Sequence, residues 1–204
     1  MSTDSTDAID SIDLVRPDEL VPEPWKNGAG TTVELAAGPR VNGIALWRFS
    51  IATLDDVTTR FSTFAGTNRV FTVIGEAGVL LAFPAGSSRV NPLRPLPFSG
   101  SADVVCTPDA ATKALNVMVD AVRASASVFV HELSSGPVVT EVQAVTLVLV
   151  CSGTASAGSS TATAGCCLLI EGSPAEVSGD ARVLVARVKP SGPSSSPRAD
   201  GRVT

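Results

Sequence analysis

One histidine, His131, and no tyrosine occur in 204 residues. These shortages exclude more chemistry than any motif adds. A catalytic zinc or non-haem iron centre built on two or three imidazoles cannot form within one such chain. Charged residues are 17% of the total, below the roughly 25% of an average soluble domain, and no basic cluster marks a nucleic-acid footprint. No apolar run nears the roughly 18 residues of a membrane-spanning helix; the longest, residues 144–151, is interrupted by Thr146. The N-terminus has no basic segment followed by an apolar one, so neither a secretory signal nor a membrane partner is expected. A cytoplasmic location follows as the expectation. Helical periodicity is weak throughout, and only residues 54–59 suggest a helical turn.

What is present points elsewhere. Hydrophobic residues are 44% of the chain, enough for a packed core. The net charge of −5 is unevenly spread. Residues 1–23 hold seven acids and one base, whereas residues 24–188 hold 12 acids and 11 bases. The body of the chain therefore does not repel small anions as a whole. The four cysteines (Cys106, Cys151, Cys166, Cys167) read as buried thiols. Adjacent Cys166 and Cys167 should point to opposite faces of a strand, which argues against a shared metal.

Residues 1–13 are acidic and low in complexity, and read as a disordered tail; residues 190–204, rich in Pro, Ser and Gly, read as a second flexible tail. Between them, short runs of Val, Ile, Leu, Thr and Phe recur between turn residues. Strands are expected at 31–36, 45–53, 70–74, 79–83, 102–106, 114–120, 126–132, 138–142, 145–151, 166–170 and 181–188. So many short strands with tight turns indicate an all-β antiparallel sandwich or barrel. A faint repeat divides them: hairpin 69–83 and hairpin 145–170 share one plan, each followed by a Pro/Gly stretch and a further strand. The expectation is two tandem small β-barrels, residues 14–124 and 125–189. The Ala/Ser/Thr/Gly stretch 153–165 reads as a mobile loop.

Function should lie where polar side chains interrupt apolar strands. Period-2 alternation puts Trp47, Phe49 and Ile51 on one face, with Arg48 and Ser50 on the other. Arg48 is either an exposed or structurally paired guanidinium, or an anion-binding arginine at a barrel mouth, where its planar fork grips a carboxylate twice. Arg69, at the start of the next strand, has the same two readings, with Ser62 nearby. Asn116 and Met118 share a face. The asparagine either satisfies loop backbone or lines a pocket, and the methionine is either core or a soft pocket wall.

The stretch WKNGAGTT at 25–32 is the most distinctive. Asn27-Gly28 favours a turn with positive φ, but the stretch lacks the Gly-Lys-Ser/Thr ending of a phosphate loop. Acid–base candidates are few: His131, Glu34 and Lys26. Glu34 shares a strand face with Thr32.

Taken in order, WKNGAGTT (25–32), LWRFSIA (46–52), RFSTFAGTNR (60–69), VIGEAGVLL (73–81), PFSG (97–100) and LNVM (115–118) make the chain similar to the HutD/Ves family of cupin-like proteins. The similarity covers residues 25–118; the second unit matches only in strand plan. It implies a bicupin of the RmlC-like jelly-roll kind, in agreement with the repeat. It also implies a regulatory or ligand-binding role in bacterial histidine utilisation, with a small carboxylate of the urocanate or formylglutamate type as partner. The motif positions that carry over are Asn27, Thr32, Arg48, Ser50, Ser62, Arg69 and Asn116, with Met118 beside them. This chain departs from the pattern at Arg60, where a glycine is usual, at Ala114, where an acid is usual, and at Val119-Asp120, where an arginine is due shortly after.

Most cupins hold a metal through several histidines and a carboxylate. With His131 alone, this one is expected to be metal-free, without cofactor. Three functions follow as alternatives: an anion-binding or regulatory protein seated on Arg48, Arg69 and Asn116; a cofactor-independent isomerase, epimerase or hydrolase on a similar carboxylate; or an interaction module, with a homodimer possible through exposed sheet edges.

Overall fold

A computed structural model describes residues 11–191. Fourteen strands of four or more residues carry the fold. They are β1 (Ser11–Val15), β2 (Gly30–Ala37), β3 (Trp47–Leu54), β4 (Thr67–Val73), β5 (Val79–Phe83), β6 (Gly86–Val90), β7 (Leu96–Ser99), β8 (Val105–Pro108), β9 (Thr112–Asp120), β10 (Ala124–Glu132), β11 (Val145–Ala157), β12 (Ser160–Thr163), β13 (Cys167–Glu171) and β14 (Glu176–Pro190). All the pairings are antiparallel. Among the described residues the only helical pieces are two 3-10 turns, Pro17–Glu19 and Leu133–Ser135. None is long and apolar enough to cross a membrane.

Three layers result. A six-stranded sheet runs β7-β4-β9-β3-β2 and ends on the short strand Glu23–Pro24. A four-stranded sheet runs β6-β5-β8 and ends on Thr59–Arg60. A seven-stranded sheet has the path β1-β13-β11-β14-β10, with β12 and Val138–Val139 joined at its side. Each path is open at both ends among the described residues.

Alternation along the strands of the six-stranded sheet decides what each face does. Trp47, Phe49 and Ile51 of β3, Val70 of β4, and Leu115, Val117 and Val119 of β9 point to one face. There they pack on Leu147 and Leu149 of β11, Leu169 of β13 and Leu184 and Val188 of β14. The large aromatic face read from the sequence is therefore the seam between the six- and seven-stranded sheets. The opposite face packs on the four-stranded sheet. Leu54, Phe71, Val73 and Ala114 meet Val79, Leu81, Val90 and Cys106 there. A third cluster lies on the far side of the seven-stranded sheet, around Val148, Leu168, Ile170 and Val183.

Several local expectations change; among them, the strand expected at 102–106 is Val105–Pro108, and Pro190, expected in the second tail, ends β14 opposite Ala124. Residues 11–13, assigned by composition to a disordered tail, belong to β1, which pairs with β13 in the seven-stranded sheet. Ile12 and Leu14 alternate with Ser11 and Asp13 and pack on that sheet's outer cluster, which repays the ordering. The remainder of that tail and residues 192–204 lie outside the described residues. Stretch 153–165 is a hairpin, because β11 continues to Ala157 and pairs with β12. Its Ala155, Ala157 and Ala162 are buried, so small residues there serve close packing. The expected helical turn at 54–59 is a tight reversal in which Val57 N–H donates to Asp55 O at 2.8 Å, a three-residue turn. Val138–Val142 shortens to Val138–Val139.

The cysteines are free thiols. Cys167 faces the seam and Cys166 the outer cluster, as alternation requires.

A cationic cavity on the six-stranded sheet

The polar end of the inner face lies above the apolar core. Interstrand register sets out its rows. Ala37 of β2, Arg48 of β3, Met118 of β9, Arg69 of β4 and Phe98 of β7 are successive partners. The next row is Glu34, Ser50, Asn116, Phe71 and Leu96. One step deeper lie Thr32, Ala52, Ala114 and Val73. Side chains therefore pass from cationic to polar to apolar towards the interior, which leaves a cup with a greasy floor.

A cavity of about 480 Å³ opens on these rows. All eight residues singled out from the sequence line it: Asn27, Thr32, Arg48, Ser50, Ser62, Arg69, Asn116 and Met118. Trp25, Lys26, Arg60, Phe61 and Phe64 line it too. Periodicity could not single out these five, because they come from loops and a two-residue bridge. A second cavity adjoins it, with Glu34, Arg40 and Thr67 in its wall. Arg48 and Met118 belong to both.

Arg69 is the most deeply buried cation of the cup. It is only 7% exposed, and among the described residues no carboxylate lies within 4 Å of it. Its Nε donates to Asn116 Oδ1 at 2.8 Å and its Nη2 to the same oxygen at 2.5 Å. Phe61, Phe98 and Phe71 surround the guanidinium, with its carbon 4.6, 5.4 and 5.7 Å from their ring centroids. The rings' negative faces offset part of the desolvation cost. Burial lowers its pKa to about 10; Cys106 would oppose that shift only as a thiolate, and Arg48 reinforces it. It is still a cation at neutral pH. Burial in turn pushes the Cys106 thiol up to about 12, so the neighbouring sulfur supplies no negative charge.

The other cavity residues have more ordinary roles. Arg48 Nε donates to Glu34 Oε2 at 2.6 Å. Arg60 pairs with Asp103 at the exposed rim, so the departure from glycine at this position adds a rim ion pair. Ala114, where an acid is usual, is fully buried in the core beneath the cup. Asp120 pairs with Arg123 in the turn after β9. Ser50, 2% exposed, sits opposite Asn116.

The 25–32 stretch contributes Trp25, Lys26, Asn27 and Thr32 to the cavity wall. Gly28 N–H donates to Trp25 O at 3.0 Å, and Trp25 N–H to Gly30 O at 2.9 Å. Asn27 Oδ1 accepts from Ala29 N–H at 3.2 Å, and its Nδ2 donates to Thr59 Oγ1 at 2.7 Å. Trp25 Nε1 donates to Thr32 Oγ1 at 2.7 Å, and its ring meets Phe61 edge-on at 6.2 Å. Gly30 allows the loop to touch β3: with φ +152° there, a Cβ would lie 2.2 Å from Thr53 O. Asn27 is thus spent on holding the loop, in contrast to Arg69 and Asn116.

The acid–base candidates are not gathered together. His131 lies on β10, with its Nε2 2.8 Å from Gly136 O. Glu34 lines the second cavity, and Lys26 the first. The cup also does not fit a transition metal. Its lining holds four cationic side chains, one carboxylate (Glu23), and neither histidine nor cysteine. Among the described residues no group of three His, Cys, Asp or Glu could hold a metal ion.

An inner face of antiparallel strands opening into a cup is the architecture of cupin-like proteins. The structure superposes on a cupin 2 conserved barrel domain protein from Leptotrichia buccalis with a TM-score of 0.61, at 8% identity, over 92% of this chain and 99% of that one. The HutD family model matches residues 18–192, and the chain belongs to that family. HutD from Pseudomonas fluorescens SBW25 is 27% identical, with a TM-score of 0.77 over 89% of this chain and 100% of that one. A Pseudomonas putida protein, an uncharacterized 21.2 kDa protein in the hutC 3' region, is 37% identical over 98 residues, which is 47% of this chain. That match spans about half the length of the curated relative.

Proposed function

We propose that the cup is a receptor for a small carboxylate and that the protein senses or carries such a metabolite. The observation that carries this is Arg69: a buried cation without a carboxylate partner among the described residues, lining a cavity. Burying a charge is costly unless it is paired. A neutral amide and three aromatic rings offset only part of that cost, and an entering anion would supply the rest. Charge-assisted hydrogen bonds contribute roughly 1.5–3 kcal/mol each. A bidentate grip by Arg69 plus contact with Trp25 and Phe61 suits affinity on the order of micromolar, about 8 kcal/mol.

The genomic setting of the Pseudomonas putida relative favours an intermediate of histidine breakdown, of the urocanate or formylglutamate kind, and a regulatory role for the protein. We further read the two halves as tandem cupin-like units, of which the first carries the cup. The test is a calorimetric titration of the wild type with urocanate and with N-formylglutamate. Saturable binding, lost in Arg69→Met, supports the reading. Absence of binding to either, with correctly folded protein, contradicts it. Product formation on long incubation would favour an enzyme instead.

A further inference from the structure

Arg48 and Arg69 line the same cavity but stand in opposite states. Arg69 has no carboxylate within 4 Å among the described residues, whereas Arg48 gives its Nε to Glu34 Oε2 at 2.6 Å. Register places the two arginines two strands apart, with Met118 of β9 between them, about 10 Å at the main chain by the usual interstrand spacing. Glu34 lies on β2, on the side of β3 away from Arg69. It reaches Arg48 from the β2 edge of that face and lines the second cavity, not the first.

This geometry divides carboxylate ligands into two kinds. A monocarboxylate needs only Arg69 and leaves the Arg48–Glu34 pair untouched. A dicarboxylate long enough to cross Met118 brings its second carboxylate to Arg48. There Glu34 already holds the Nε edge, cancels the charge, and presents a like charge to the newcomer. The pair is accessible enough to exchange, with side chains 23% and 45% exposed for Arg48 and Glu34. Arg40, which lines the second cavity with Glu34, donates to the Gly43 carbonyl at 3.3 Å and has no carboxylate within 4 Å among the described residues, so it offers the displaced carboxylate another guanidinium.

We propose that Glu34 is an internal competitor for Arg48, so that the cup selects between mono- and dicarboxylates. The proposal rests on the reading of Arg69 as an anion seat. Its test is the titration of acetate and glutarate into the wild type, Glu34→Gln, Arg48→Met and the double variant, with Glu34→Ala as a second removal of the carboxylate. Glu34→Gln and Glu34→Ala are expected to tighten glutarate about fivefold while acetate changes less than twofold. Arg48→Met is expected to remove that selectivity, and the double variant to match Arg48→Met, since contacting residues couple. If removing the carboxylate leaves glutarate unchanged or weaker, or tightens both acids equally, the competitor role is overturned while the Arg69 seat stands. If no form of the protein binds either acid, the seat and the competitor fall together.

Discussion

Arg69 places both its Nε and its Nη2 on the single Oδ1 of Asn116, at 2.8 and 2.5 Å, and has no carboxylate within 4 Å among the described residues. A neutral amide thus holds a buried cation in place without cancelling it.

The first consequence concerns Asn116 itself. Asn116→Asp keeps the shape and adds a negative charge where Arg69 lacks one. Carboxylate binding is expected to fall by about tenfold or more, equivalent to about 1.4 kcal/mol, while the melting temperature rises because the buried charge becomes paired. Calorimetric titration and a thermal melt on the same preparation check both directions at once.

Arg69→Met separates binding from stability in the same way. The replacement is apolar, similar in length, and surrounded by Phe61, Phe71 and Phe98. Removing an unpaired buried charge relieves its desolvation cost, which outweighs the roughly 1–3 kcal/mol of leaving Asn116 Oδ1 without its donor. The variant is expected to melt at or above the wild-type temperature and to bind no carboxylate. A fall of several degrees would mean that Arg69 serves the fold.

Ligand entry is expected to change the emission of one tryptophan. Trp25 lines the cup, whereas Trp47 is 5% exposed in the seam. Trp25→Phe should abolish a fluorescence response to ligand, and Trp47 should contribute a constant background.

Acid stability has a definite sign at Asp120. Hydrogen bonds from the Arg123 side chain, then from the Arg123 and Val122 backbone N–H groups, pull its pKa from 3.8 down to about 2. A folded-state pKa below the unfolded one stabilises fully above about pH 3.8, and the contribution is lost as pH falls toward 2. The difference in melting temperature between wild type and Asp120→Asn should therefore shrink over that window. A difference that holds constant or grows on acidification would contradict the assignment.

Gly30→Ala tests how the loop is held. The added Cβ would collide with Thr53 O, and φ of +152° strains any side chain. A loss of about 2–4 kcal/mol is expected in urea unfolding.

Most of the inner face was readable from residue spacing. The alternation Trp47-Arg48-Phe49-Ser50-Ile51 separates seam from cup because the period of a strand is two, and Asn116 with Met118 follows by the same rule. Family resemblance added Asn27 and Thr32, which no periodicity singles out, while Ser62 was already noted for its nearness to Arg69. Three things were illegible. The order of strands, which sets Met118 between Arg48 and Arg69, depends on long-range pairing. Glu34's commitment to Arg48 depends on the register of β2 against β3, which shifts between Glu34 and Ala36. The strand at residues 11–15 was hidden because its acidic neighbours dominate composition, while Ile12 and Leu14 count only once a sheet edge is there to receive them.

The most direct test of the Arg69 seat is a crystal structure of the wild type soaked with a ligand that calorimetry shows to bind. The expected result is a carboxylate whose oxygens lie about 2.7–2.9 Å from the Arg69 guanidinium, inside the cup that Trp25 lines. A carboxylate bound instead at the rim, on Arg60 or Arg40, with Arg69 still held by Asn116 alone, would contradict it.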